Sequence, residues 1–149
     1  MGSTRRQQDK GEDRMSRYRT PTRRSKRYVH EEDFHTAVHY ARRYPHWVAE
    51  LQIEPDTSKA ITYEQDRVQT SNTYDPVQAT AIRRAEIARK VDMIDKLIHE
   101  CADGMDKFLI LGVCYGSTFK DLKAAGIPCE HAKYYDMRRE FLCKLAERI

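Results

Sequence analysis

Two successive segments in the first third of the chain follow helical spacing. The first opens with an acidic turn, which favours a helix N-terminus, and its apolar residues recur at intervals of three and four: Phe34, Ala37, Val38 and Ala41. This pattern predicts a helix of about three turns. It should end at Tyr44-Pro45, because the residue before a proline avoids the helical region. A second short helix, with Trp47 and Leu51 on one side, is predicted to reach about Ile53.

A long helix is predicted after a polar connection. Residues 54–74 are rich in Pro, Thr, Ser, Asp and Asn and carry no sustained period, so we expect a loop there. Asp75-Pro76 then marks a helix start, with Asp as N-cap and Pro at the first helical position, where its missing N–H costs nothing. The helix should run to about Ala102.

This long helix carries an apolar seam, whose members alternate by four and three: Ile87, Val91, Ile94, Ile98 and Cys101. Such a heptad-like seam needs a packing partner. It packs either on the other helices of the same chain, or on a second copy as a homodimer through Ile87, Val91, Ile94 and Ile98.

The last part of the chain contains three helical segments separated by two short breaks. The first, around residues 107–114, is apolar and stops at Tyr115-Gly116. Ser117 or Thr118 can then cap a short second helix, and the spacing from Thr118 to Asp121 matches a capping box. A tight turn follows at Gly126, which can take a positive φ.

The third helix should run from Pro128 or Cys129 to the C-terminus, and its two faces differ. At about 100° per residue, one face collects residues that we expect in the core: Ala132, Tyr135, Arg139, Leu142, Ala146 and Ile149. The other face is predicted to point outward: Glu130, Lys133, Tyr134, Met137, Glu140 and Phe141, with Arg138 at its border.

These elements predict an all-α fold with a long central helix and a C-terminal helix-turn-helix. We divide the chain into a basic disordered tail (1–27), an N-terminal helical pair with its linker (28–74), and the long helix with the helix-turn-helix (75–149). A short helix, a glycine turn and a longer helix with polar and aromatic groups on its exposed first turns suit docking in the major groove of DNA, which admits one α-helix.

This interpretation assigns roles to individual residues. Glu130, Lys133, Tyr134 and Met137 are the candidates for contacts with base edges, while Arg138 and Arg139 are expected on phosphates. The tail strengthens the case, because residues 1–27 hold ten Lys or Arg against three Asp or Glu. Arg23 and Arg24 in that tail would attract phosphate without reading sequence, or the tail is a solvated arm.

Other chemistries find little support. The cysteines contain no C-x-x-C pair, so we expect buried thiols and no zinc knuckle: Cys101, Cys114, Cys129 and Cys143. His35 and His39 share a helix face and could bind a metal, but the H-E-x-x-H motif is absent, so a surface or interface role is expected. Neither a G-x-S-x-G elbow nor a glycine-rich phosphate loop occurs. We therefore expect that the protein has no enzymatic activity and binds neither a cofactor nor a metal ion.

The chain also resembles a known family through motifs that run in a fixed order. They are Tyr44-Pro45-x-Trp47 with Glu50-Leu51, Ser71 to Asp75-Pro76 before a helix with Ala-Ile-Arg-Arg and Ile-Asp-Lys-Leu-Ile, and Gly126-Ile127-Pro128 followed by Tyr134-Tyr135-x-x-Arg138-Arg139-x-Phe141-Leu142-x-x-Leu145-Ala146. In these features it resembles the ArpU/RinA phage transcriptional regulators, whose C-terminal part is similar to the region-four helix-turn-helix of sigma factors. The resemblance covers about residues 28 to 149.

The resemblance implies a phage or prophage protein that binds promoter DNA and activates late genes for packaging and morphogenesis. It would act in the cytoplasm of the bacterial host, since no apolar run approaches the ~18 residues of a membrane span. Two alternatives stay open: a phage terminase small subunit that binds DNA for packaging, and a helical module that contacts RNA polymerase or another protein through the apolar seam.

Overall fold

The computed structural model describes residues 20–24, 27–54 and 75–149. Within these ranges the fold is all-α and contains no strand. Its helices are α1 (Glu31–Arg42), α2 (Tyr44–Gln52), α3 (Pro76–Cys101), α4 (Asp106–Val113), α5 (Phe119–Ala124) and α6 (His131–Arg148). The predictions for most of the basic tail and for the connection at 55–74 lie outside the described residues. None of the described helices combines the length and apolarity needed to span a membrane.

Local sequence signals set the helix starts. The Asp75 side chain accepts a hydrogen bond from the Val77 N–H at 3.0 Å, and Pro76 occupies the first helical position of α3. The His30 ring accepts from the Glu32 N–H at 3.3 Å before α1. Side-chain acceptors at these positions satisfy backbone donors that lack an intrahelical partner. The predicted start of α3 is therefore confirmed. A break separates α1 from α2 as predicted, but it lies at Arg43, and Tyr44 begins α2 although the residue before Pro45 was expected outside a helix.

One hydrophobic core joins the N-terminal helical pair to residues 75–149. Helix α6 packs against α1, α3 and α4, and α2 packs along α3. The ring of Trp47 on α2 contacts the Tyr40 ring of α1 edge-on, at 4.9 Å between centroids, and the Lys90 ammonium of α3 lies 5.3 Å above it. Trp47 thus ties the first three helices together.

The apolar seam of α3 packs inside the chain. Ile87, Ile94 and Ile98 are each less than 5% exposed, and Val91 is half-buried. Helices of the same chain therefore cover most of this seam, which is the first of the two predicted packing arrangements.

Helix α6 is rotated relative to its predicted orientation. Tyr134 and Phe141, expected outside, are fully buried, and Met137 is 7% exposed. Leu142 is buried as predicted, while Ala132 and Ile149 are exposed although they were expected in the core. The reason is that three neighbouring helices cover α6, so it buries a wide stripe: Tyr134, Met137, Arg138, Phe141, Leu142, Cys143 and Leu145.

All four cysteines are free and buried, as predicted. Burial raises the pKa of the Cys114 thiol to about 12, with a smaller contribution from the charge of Asp95. Burial also raises the pKa values of Cys101 and Cys143. These thiols are held in the protonated form, as expected of apolar packing groups.

Candidate nucleic-acid interface

Helix α5 is fixed at its start by a complete capping box. The Thr118 hydroxyl oxygen accepts from the Asp121 N–H at 3.3 Å, and the Asp121 carboxylate accepts from the Thr118 N–H at 3.1 Å. The carboxylate also accepts from the Thr118 hydroxyl at 2.8 Å. These hydrogen bonds to its charged form hold the pKa of Asp121 below its usual range. The capping box predicted from the sequence is confirmed.

The rest of α5 divides between core and solvent. Leu122 is buried and Phe119 is half-buried, so Leu122 is the main anchor of α5 in the core. Lys120 and Lys123 both lie on the exposed side of α5. Since these lysines are three residues apart on one helix, they share a face.

The turn between α5 and α6 follows the predicted chemistry. Gly126 has φ of 95°, and its N–H donates to the Lys123 carbonyl at 3.1 Å. The next residue, Ile127, is 3% exposed and donates to the Leu122 carbonyl at 3.0 Å. The positive φ suits glycine, while Ile127 anchors the turn in the core. Helix α6 begins only at His131, two or three residues later than predicted.

An aromatic cluster seats the first turns of α6 on α5. The Phe119 ring lies 5.1 Å from the His131 ring and 5.7 Å from the Tyr134 ring, between centroids. The His131 and Tyr135 rings are 4.4 Å apart. His131, Ala132 and Lys133 nevertheless remain exposed. The first turn of α6 is therefore both rigidly supported and open to solvent.

The predicted base-edge candidates differ in their exposure to solvent. Glu130 and Lys133 are exposed, and the Lys133 ammonium pairs with the Asp103 carboxylate at 3.1 Å. The assignment of Tyr134 and Met137 to base edges is wrong, because both side chains are buried under neighbouring helices.

The arginines predicted on phosphates also differ in placement. Arg139 is half-buried and pairs with Asp136 at 3.3 Å. Arg138 is 8% exposed, with its guanidinium 5.3 Å above the Tyr135 ring. Arg23 and Arg24 are exposed in a turn before α1. The candidate residues thus do not form one continuous strip on α6.

A groove between α5 and the start of α6 contains cations that the sequence analysis overlooked. Its lining combines three basic side chains with one carboxylate and a half-buried aromatic floor: Thr118, Phe119, Lys120, Lys123, Ala124, Glu130, His131 and Tyr135. The spacing of Lys120 and Lys123 on a capped helix was the available signal for these two lysines. We call this surface the α5–α6 groove.

The histidines considered for metal binding make a different contact. His35 Nε2 lies 3.6 Å from the Glu31 carboxylate one turn earlier, and His39 is exposed. Among residues 20–24, 27–54 and 75–149, no group of three or more His, Cys, Asp or Glu side chains is arranged to hold a metal ion.

Comparison with known proteins provides no family assignment. The chain matches no protein-family model, no curated protein and no solved structure.

Proposed function

We propose that this protein binds double-stranded DNA through the α5–α6 groove and regulates transcription. The observation that carries the proposal is the exposed first turn of α6, which follows a glycine turn and stands beside the two lysines of α5. In helix-turn-helix proteins the second helix enters the major groove by its N-terminal residues, while the first helix crosses the backbone. The order of α5 and α6 and the exposure of the first turn of α6 support this proposal.

The proposal divides the roles among exposed residues. Lys120 and Lys123 on α5 contact phosphates, which positions the protein without reading sequence. His131 and Glu130 at the start of α6 are the candidates for base edges, since a carboxylate can accept a hydrogen bond from cytosine N4. Arg23 and Arg24 add nonspecific attraction to the backbone. Activation of phage late genes is the specific role that the ArpU/RinA resemblance suggests.

Charge-neutral variants of the α5 lysines test the contact with DNA. Lys120→Gln and Lys123→Gln should each weaken binding similarly for all duplex sequences, and each should lower the slope of log affinity against log salt by about 0.9. Lys107→Gln is the matched control, because Lys107 is an exposed lysine on α4. Equal salt slopes for all three variants and the wild type would show that Lys120 and Lys123 do not contact DNA phosphates, which would contradict the proposed role of the α5–α6 groove.

Sequence selection from a random duplex library tests the base-edge roles. His131→Ala or Glu130→Ala should relax the preferred sequence at one or two base pairs, with a loss of about 1 to 3 kcal/mol on the selected site. A wild-type protein that selects no sequence contradicts specific recognition.

Reporter transcription from the selected site then separates regulation from DNA packaging. A regulator changes transcription and sediments as a small species. A terminase small subunit assembles into a large ring and leaves the reporter unchanged.

A further inference from the structure

The floor of the α5–α6 groove is aromatic, which the reading of duplex DNA does not require. Three rings line it: Phe119, His131 and Tyr135. In a double helix the bases stack on one another, so a side chain in the major groove meets base edges and not ring faces. Aromatic rings beside cations instead suit a base that is unpaired, because such a base offers its face for stacking.

His131 is the ring best placed to stack on a base. It is exposed, whereas Phe119 and Tyr135 are half-buried. The His131 ring lies 5.1 Å from the Phe119 ring at an interplanar angle of 81°, and 4.4 Å from the Tyr135 ring at 47°. Neither neighbour is parallel to the imidazole. Since two aromatic contacts hold the ring, a base that stacks on it does not first have to order a mobile side chain.

The α5 side of the groove supplies positive charge. Lys120 and Lys123 are exposed and line it. The single carboxylate of α5, that of Asp121, does not line the groove and accepts a hydrogen bond from the Thr118 N–H at 3.1 Å. Lysine ammonium groups bind phosphates as point charges, with little demand on geometry. This side therefore suits the backbone of a nucleic-acid strand.

Glu130 gives the other end of the groove a different preference. It is the N-cap residue of α6, it is exposed, and its side chain makes no capping hydrogen bond. A carboxylate repels phosphate, so this end of the groove favours a base. It can accept a hydrogen bond from the amino group of cytosine or adenine, whereas thymine presents a carbonyl at the corresponding position.

We propose that the α5–α6 groove also binds an unpaired nucleotide of a single strand of DNA or RNA. The base stacks on His131, and its amino group donates to Glu130. Phosphates of the same strand contact Lys120 and Lys123. The groove has a volume of about 680 Å³, within the range of about 300 to 1,000 Å³ that is typical of small-molecule sites. This activity goes beyond the proposed recognition of duplex DNA and does not require it.

Titration of the full chain with labelled homopolymers of about eight nucleotides tests the stacking. By fluorescence anisotropy, oligodeoxycytidylate should bind the wild type, and His131→Ala should weaken this binding about tenfold or more. His131→Phe should bind more tightly than His131→Ala, because stacking needs a ring and not a ring nitrogen. His39→Ala is the matched control, since His39 is an exposed histidine of α1 that does not line the groove. Equal affinities of His131→Ala and the wild type, or of His131→Ala and His131→Phe, overturn the proposal.

Two further variants test the placement of the strand. Lys123→Gln should lower the slope of log affinity against log salt by about 0.7, the value for one phosphate of a single strand, whereas Lys107→Gln should not. Glu130→Ala should reduce the preference for oligodeoxycytidylate over oligodeoxythymidylate. An unchanged slope or an unchanged preference contradicts the proposed placement. Oligoribocytidylate of the same length shows whether the groove prefers RNA or DNA.

The same variants separate this activity from the reading of a duplex. In a duplex His131 would contact a base edge through its ring nitrogens, so His131→Phe should relax the selected duplex sequence as His131→Ala does. If the wild type binds single strands but no duplex, the proposed function fails and the inference stands. If it binds duplex DNA but no single strand, the inference alone fails.

Discussion

The hydroxyl of Tyr134 on α6 lies directly against the backbone of Gly112 on α4. A Cβ atom built on Gly112 would overlap the hydroxyl oxygen, and it would fall 2.8 Å from Cζ of the same ring and 3.3 Å from a methyl carbon of Leu122 on α5. Helices α4, α5 and α6 therefore meet at a point where only glycine leaves enough room for the tyrosine. This contact fixes the rotation of α6 and, with it, the side chains that its first turn exposes.

We predict that Gly112→Ala destabilises the protein, against the trend of helix propensity. Alanine is favoured over glycine in a helix interior by about 1 kcal/mol, whereas overpacking a buried contact costs about 1 to 3 kcal/mol. Steric overlap should prevail here, because the clash involves a buried ring and cannot be relieved into solvent. Denaturant unfolding measures the change, and a rise in stability would contradict the contact.

A double-mutant cycle assigns that cost to the tyrosine. Tyr134→Phe removes the hydroxyl and should reduce the penalty of Gly112→Ala, since the oxygen is the nearest atom to the added methyl group. Strictly additive effects would place the strain elsewhere.

The starts of α3 and α5 and the glycine turn before α6 were predictable because they depend on local chemistry. Asp75-Pro76, the Thr118 to Asp121 spacing and Gly126 each act through backbone groups within a few residues. These features can therefore be recognised in the sequence without knowledge of the tertiary structure.

The orientation of α6 was not predicted, because periodicity shows which residues share a face but not which face is covered. The two predicted faces of α6 are similar in composition, because Tyr135 and Arg139 lie on one, while the other carries Tyr134 and has Arg138 at its border. The apolar recurrence of Tyr134, Met137, Phe141, Leu142 and Leu145 was present in the sequence as a signal for the buried side. The packing of α1 against α6 had no such signal, because it joins distant parts of the sequence.

A pH-dependent contribution to stability is expected from Tyr44. Its hydroxyl donates to the Asp95 carboxylate at 2.7 Å. Burial, followed by this hydrogen bond and the charge of Asp95, raises the pKa of Tyr44 well above its usual value of 10.0. A raised pKa means that the folded state retains the phenolic proton, so the contribution is fully present below the unfolded pKa and is lost as pH rises above it.

The difference in unfolding free energy between wild type and Tyr44→Phe measures this contribution. Near pH 7 we expect the variant to be less stable by about 1 to 2 kcal/mol, as for a hydrogen bond to a partly buried charged group. The difference should shrink above pH 10. Because the other tyrosines titrate in both proteins, they largely cancel, and a constant difference would show that the hydrogen bond does not control the phenol.

Arg84 on α3 should act as the C-terminal cap of α2. Its guanidinium donates to the carbonyls of Glu50, Leu51 and Ile53 at 3.3, 2.9 and 2.7 Å. The last carbonyls of a helix lack a donor from a following turn, although the Glu50 carbonyl also accepts from the Ile53 N–H at 3.3 Å. Arg84→Met should cost about 1 to 3 kcal/mol, and Arg84→Lys should restore little, because an ammonium lacks the planar fork. Full rescue by lysine would show that charge alone matters.

Alanine substitutions along α6 test its rotation. Tyr134 is fully buried against α4 and α5, so Tyr134→Ala should lower stability by about 3 kcal/mol or more through lost burial and a cavity. Glu130 is exposed, and its side chain makes no capping hydrogen bond to α6, so Glu130→Ala should change stability by less than about 0.5 kcal/mol. Thermal melts measured beside DNA affinity separate the two effects. If Tyr134→Ala kept the wild-type melting temperature and lost only DNA binding, Tyr134 would face outward. The residues assigned to the lining of the α5–α6 groove would then be incorrect.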